Sequence, residues 1–249
     1  MEVHHHLEHK HERKWHHYFW EFFMLFFAVS AGFFVENQRE KFVERHREKE
    51  YIESIIKDLR SDTTWIGGFL KDQQWSVNSY DSVIILLGKN NRNKFEQQRL
   101  YYLIRMAMRT SWPNEANQTA YDQMKFSGNL RLLHNQEIID HVSKYYFKVK
   151  EIDYITTLIT LRQQAVTEYE AKIVNGQVLH SMINESDFSF TMPEGNPALF
   201  VNDKNIINEF TVRIHYLASI MIYSINFAKE QKEEATSLLE YLEKEYKLD

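Results

Sequence analysis

Seven of the twelve histidines fall within the first seventeen residues: His4, His5, His6, His9, His11, His16 and His17. Neutral imidazoles at this density offer nitrogen donors to Zn, Cu or Ni, and His4, His5, His6, His9 and His11 are the candidate ligands. The competing reading is a solvated, partly protonated tail lying against anionic headgroups, since nothing in the pattern fixes a ligand geometry. The run is short, interrupted and continuous with HLEHKHERKWHH, so it reads as native sequence and not as a tag. Other reactive types are sparse. His134 and His141 stand seven apart, about two helical turns, too far for one i,i+4 metal clamp. Asp58 and Asp62 are spaced i,i+4 and place two carboxylates on one helix face, where a solvated face or an ion pair with Lys57, Arg60 or a neighbouring helix is expected. No phosphate loop, dinucleotide fingerprint, zinc-protease helix or serine elbow occurs, and no enzymatic activity is expected.

One acid stands apart. Tyr18 to Val35 reads YFWEFFMLFFAVSAGFFV, apolar except for Glu21 and about 27 Å long as a helix, enough to cross a hydrocarbon core. Trp15, Tyr18 and Trp20 occupy the level of an aromatic belt, and charge resumes at Glu36 and Arg39. A cleaved signal peptide, cut after Val29-Ser30-Ala31, is the alternative, but the apolar run continues past that position. Near the end of the span Glu21 can snorkel to the headgroups. Its helical phase points elsewhere: steps of three and four lead through Leu25 to Ala28 and Gly32, small residues that permit close helix approach. The expected use of the Glu21, Ala28 and Gly32 face is self-association within the bilayer.

The elements that must carry these groups are helices. Only 7 Gly and 3 Pro punctuate 249 residues, too few for the turns of a sandwich or barrel. The predicted class is all-α: one N-terminal transmembrane helix that continues into a stalk and then a bundle of long antiparallel helices. Zero Cys excludes disulfides, thiolate metal sites and thiol catalysis. A net charge of −5 lacks the basic excess of a nucleic-acid binder, so no nucleic-acid partner is expected. The mean hydropathy of −0.52 averages the span away.

Four parts are expected: a His-rich tail over 1–17, the span over 18–35, a charged stalk over 36–51 and a helical bundle over 52–249. Between Glu36 and Glu50 the only strongly apolar side chains are Phe42 and Val43, so the stalk cannot be a buried core helix. Glu40 and Glu44 belong to an acidic i,i+4 stripe, and Lys41 and Arg45 to a basic one beside it. A rotated second copy would match the two, and these four residues join Glu21, Ala28 and Gly32 as the candidate oligomer interface. From Ile52 an apolar stripe runs towards Gly88, with Gly67-Gly68 as a weak point where the helix can bend. Further helices are predicted over 95–109, 116–126 and from Asn135, as N-cap, to about Asn175-Gly176. Residues 185–202 form an extended loop. A last helix from about Asp203 repeats Ile207, Phe210, Ile214, Leu217, Met221, Ser224, Ala228, Gln231, Ala235, Leu238 and Leu242, a coiled-coil spacing able to bury the Ile52 stripe. Ser127-Gly128-Asn129 is a helix stop with a left-handed position at Gly128, making Gly128, Asn129 and Asn135 a structural corner on which Tyr145 and Tyr146 can pack.

Two stretches carry a resemblance. The span with Glu36-Asn37 after it and EKEYIESIIKDLRSD at 48–62, together with YDQMKFSGNLRLLHNQEIIDHVSKYY at 121–146, resembles a large family of single-span membrane proteins of unknown function from Bacteroidota. The likeness covers roughly residues 15–65 and 116–146. It implies an inner-membrane anchor, a helical domain and a basic tail inside, and it supplies no reaction. Counted literally, Lys10, Arg13 and Lys14 before the span against Arg39, Lys41, Arg45, Arg47 and Lys49 after it favour a cytoplasmic C-terminal domain. The resemblance implies the opposite, N-terminus cytoplasmic and C-terminal domain periplasmic, and long domains translocate despite nearby charge.

The expected function is a membrane-anchored helical scaffold or sensor-like module that self-associates as a homo-oligomer, most simply a trimer, and binds a protein partner or envelope component. Its other expected partner is the lipid bilayer. Two alternatives stay open: an oligomeric conduit or energy-coupled subunit using Glu21, and a metal-binding envelope protein acting through the His-rich tail, with Zn, Cu or Ni as the only cofactor in view.

Overall fold

A computed structural model describes residues 15–107 and 116–247, with only the backbone of residue 153. The chain is all-α. Its elements are α1 (Trp15–Leu87), α2 (Lys94–Ala107), α3 (Thr119–Phe126), a 3-10 turn (Asn129–Leu132), α4 (Gln136–Ile173), α5 (Gly176–Ser181) and α6 (Lys204–Tyr246). Extended pairing among the described residues is limited to one antiparallel bridge between Ile183 and Phe190. The chain divides into two compact units, Met1–Glu50 and Tyr51–Asp249.

In the first unit the described residues are helical throughout, and the phenylalanines of the span other than the half-buried Phe23 are exposed, Phe22 at 62% and Phe33 at 74%. This is the one helix among the described residues long and apolar enough to cross a membrane, and none of its apolar window is buried within the chain.

The second unit is a helical bundle whose direction is set by which residues share a core. Ile52, Ile55 and Leu59 of α1 pack with Ile138, Val142 and Val149 of α4 and with Ala235, Leu238 and Leu242 of α6. At the other end Val77, Tyr80 and Leu87 of α1 meet Ile155, Ile159 and Ile173 of α4 and Phe210, Ile214 and Leu217 of α6. Therefore α1 and α4 run parallel, and α6 runs antiparallel to both. The expected burial of α1 by α6 is present, but it is shared with α4. The predicted α6 stripe is buried at ten of its eleven positions, including the polar Ser224 and Gln231, and only partly at its first, Ile207.

Local signals set the ends of these helices. Asn135 Oδ1 accepts from the Glu137 N–H at 2.9 Å, Asn175 Oδ1 from Gln177 N–H at 3.0 Å, and Asp203 Oδ1 from Asn205 N–H at 2.7 Å. Each cap satisfies a donor that an α-helix leaves free in its first turn. Asn93 and Glu96 form a reciprocal capping box that starts α2. Gly128 adopts φ +71°, the left-handed conformation that ends α3, and Leu132 and Leu133 behind it are buried. Helix α1 continues through Gly67-Gly68. One predicted start shifts, as α3 begins at Thr119 and not at 116 because Asn117 lies across α1 and bonds Asp58 and Asp62, and an additional short helix, α5, follows α4. The 185–202 loop is tied down by α2, as Tyr101 Oη donates to the Ala198 carbonyl at 2.9 Å and Gln98 Nε2 to that of Pro193 at 2.8 Å.

Candidate functional site

The residues proposed for self-association lie on the surface of the chain. Glu21, Ala28 and Gly32 share one exposed stripe of α1, and a Cβ added at Gly32 would meet no other atom within 4 Å. In the stalk Glu40, Lys41 and Arg45 are exposed and Glu44 is half-buried. Local contacts there include the ion pair of Arg39 with Glu36, whose guanidinium Nη2 and carboxylate Oε1 lie 2.5 Å apart, and the approach of His46 Nε2 to Glu50 at 3.4 Å. The metal candidates His4, His5, His6, His9 and His11 lie outside the described residues.

Buried polar chemistry gathers instead around Asp58 and Asp62. Their expected placement on a solvated face or in an ion pair is corrected by the structure: Asp58 is 7% exposed and Asp62 3%. The loop before α3 covers them. Asp58 Oδ1 accepts from Asn117 Nδ2 at 2.7 Å, Asp62 Oδ1 from the Asn117 backbone N–H at 3.1 Å, and Asp62 Oδ2 from the Tyr145 hydroxyl at 2.7 Å. Two carboxylates of α1 thus hold the N-terminal approach of α3, where free N–H groups and the helix dipole favour negative charge. Burial pushes both carboxyl groups above the ordinary aspartate range. The Ala120 N–H opposes this at Asp58, and the Tyr145 hydroxyl and Asn117 N–H oppose it at Asp62. The tyrosines share the strain. Tyr145 and Tyr146 are 1% exposed and pushed far above the usual phenol range, mainly by burial and then by the aspartates. Tyr146 stacks on Tyr121 of α3 at 4.3 Å between ring centroids. Among the described residues, Asp58 Oδ2 and the Tyr146 hydroxyl have no hydrogen-bond partner. The cluster is a polar stitch between α1, α3 and α4.

Nearby, Asn129 Nδ2 donates to the Tyr51 hydroxyl at 2.8 Å, so the predicted corner is also fastened to α1. On the outer side of Tyr145 a groove between α4 and α6 carries Lys144 and Lys148, which pair with Glu234 at 2.9 and 3.2 Å.

A third buried acid lies at the other end of the bundle. Glu170 of α4 is 9% exposed, and burial pushes its carboxyl up to about 7, opposed only by the charge of Arg105. It faces Tyr80, whose hydroxyl donates to the Ala107 carbonyl at 2.9 Å. Sequence reading missed Glu170 because a single Glu beside Tyr169 and Lys172 looks like any solvated helix face. Its spacing from buried Val166 and Ile173 was the available signal. His141 approaches Glu137 at 3.9 Å and lines the groove beside Tyr145, and no group of three His, Asp or Glu able to hold a metal occurs among the described residues.

Comparison with protein-family models, with curated proteins and with solved structures gives no match.

Proposed function

We propose that this protein is a non-enzymatic, membrane-anchored helical scaffold that self-associates through its span and stalk and presents the bundle to a partner in the bacterial envelope. The observation that carries the reading is the apolar window of α1, which the chain itself leaves wholly uncovered. In water such a surface would far exceed the apolar patches that soluble monomers expose, and a bilayer accounts for it. The stripe of Glu21, Ala28 and Gly32 then supplies close helix approach, with Glu21 able to hydrogen-bond across the interface instead of facing acyl chains. The stalk continues the contact with the acidic Glu40 and Glu44 set against Lys41 and Arg45 of a second copy. A cyclic trimer is the simplest closed arrangement. Likeness to the Bacteroidota single-span family supports an inner-membrane location with the N-terminus cytoplasmic and residues 36–249 periplasmic.

Two measurements test this. Gly32→Ile blocks backbone approach and should convert the oligomer to monomer by light scattering in mild detergent, while Phe26→Ile on the lipid side should leave it intact. A monomeric unmutated chain would sink the proposal. Protease added to intact spheroplasts should degrade residues 36–249, and full protection would reverse the orientation.

A further inference from the structure

Helices α4 and α6 face each other antiparallel, and near the Glu170 end they exchange arginine and tyrosine. Arg162 of α4 lies over the Tyr216 ring of α6 at 5.4 Å from its centroid, and Arg213 of α6 lies over the Tyr169 ring of α4 at 4.0 Å. Both guanidinium groups line one open groove of about 300 Å³. Among the described residues neither forms an ion pair with a carboxylate, although Glu209 lines the same groove one turn from Arg213. Stacking on a ring fixes the plane of a guanidinium while leaving its edge donors free, the arrangement that suits bidentate contact with a carboxylate or phosphate. The remaining lining is mixed. Asn208 and Glu209 offer hydrogen-bonding groups for hydroxyls, and Val212 and Tyr216 are 43% and 54% exposed, giving an apolar wall beside them. The volume matches the lower end of small-ligand sites.

We infer that this groove binds a small polyhydroxy anion, a sugar phosphate or sugar acid, with its oxyanion held by Arg162 and Arg213 and its hydroxyls by Asn208 and Glu209. Two bare cation–π rungs joining the helices would explain the stacking, but they would not require both arginines to line one groove with hydroxyl-binding groups beside them. The inference is independent of membrane attachment and of self-association.

Calorimetric titration of the full chain in a nonionic detergent, where no lipid headgroup competes, tests it with glucose 6-phosphate, glucuronate, glucose and inorganic phosphate. Glucose 6-phosphate or glucuronate should bind with a Kd of about 1 mM or tighter, the range open to a ligand of this size. Glucose and inorganic phosphate should bind at least tenfold more weakly. Arg162→Gln and Arg213→Gln should each weaken the sugar anion at least tenfold. Lys172→Gln removes a neighbouring charge that stacks on Tyr169 at 3.9 Å but does not line the groove, and it should change affinity less than twofold. No heat with either sugar anion would overturn the inference. So would equal binding of inorganic phosphate, an unchanged affinity in both arginine variants, or a loss from Lys172→Gln as large as theirs. Circular dichroism of each variant separates a lost site from a lost fold, and Arg213→Lys provides a milder replacement that keeps charge and stacking while removing the fork. That variant should bind more weakly than the parent and more tightly than Arg213→Gln; parental affinity would overturn the bidentate role.

Discussion

The two ends of the bundle bury acids under opposite conditions. Asp58 and Asp62 are withdrawn from water but receive a backbone N–H, an amide and a phenol from the loop before α3 and from α4. Glu170 is withdrawn to a similar degree and has only the field of Arg105. Burial alone favours the neutral acid in both places; hydrogen-bond donors aimed at the carboxylate work against it. The stitched end therefore uses its acids as structural acceptors, and the Glu170 end holds an acid that titrates near neutrality.

Breaking the stitch should have the largest effect. Asp62→Ala removes the acceptor of the buried Tyr145 hydroxyl and of the part-buried Asn117 N–H, and we expect a loss of about 4 kcal/mol, since each such group left unpaired costs roughly 1–3 kcal/mol. Chemical denaturation followed by circular dichroism reads it, and a loss below about 1 kcal/mol would show that water replaces the carboxylate without cost.

The next largest effect sharpens the contrast through pH. The Glu170 carboxyl is raised from 4.5 to about 7 in the folded protein. Its contribution is then fully present below pH 4.5 and is lost as pH rises through 7, because the unfolded chain releases that proton more readily. The full difference is about 3 kcal/mol at 1.36 kcal/mol per unit. Glu170→Gln removes the titration. We expect it to match the parent near pH 4.5 and to exceed it by up to about 3 kcal/mol at pH 8.5. Parallel stability curves for the two proteins across that range would place Glu170 in water.

How much of this was legible depended on range. Signals confined to one element read correctly: the α6 stripe from Phe210 onward, the cap at Asn135, the start of α6 near Asp203 and the left-handed Gly128 all depend on neighbours within a few residues. The aspartates did not read correctly, because i,i+4 acids on a helix look the same whether water or another segment covers them. What covers Asp58 and Asp62 is Asn117, about sixty residues later, and no local pattern announces that meeting. The parallel course of α1 and α4 escaped for the same reason. It depends on the chain returning through α2 to begin α4 beside Ile52 and Ile55, although the heptad spacing of α6 suits either partner.

The smallest effect asks whether the stitched end is held by its backbone as well as its side chains. Gly128 adopts φ +71° with no atom within 4 Å of an added Cβ, so a substitution there meets conformational cost without collision. Gly128→Ala should cost about 1 kcal/mol, the penalty of a Cβ in the left-handed region. Gly128→Asn should recover about half, because asparagine tolerates that region through local hydrogen bonding. The Asn129 bond to Tyr51 adds a second fastening immediately after the turn. If that bond and the aspartate stitch already fix the corner, the two substitutions will lower the melting temperature in the order Ala below Asn below Gly without altering the pH profile set by Glu170. Equal melting temperatures for all three would mean that the corner relaxes into another turn, and that side chains alone hold this end of the bundle.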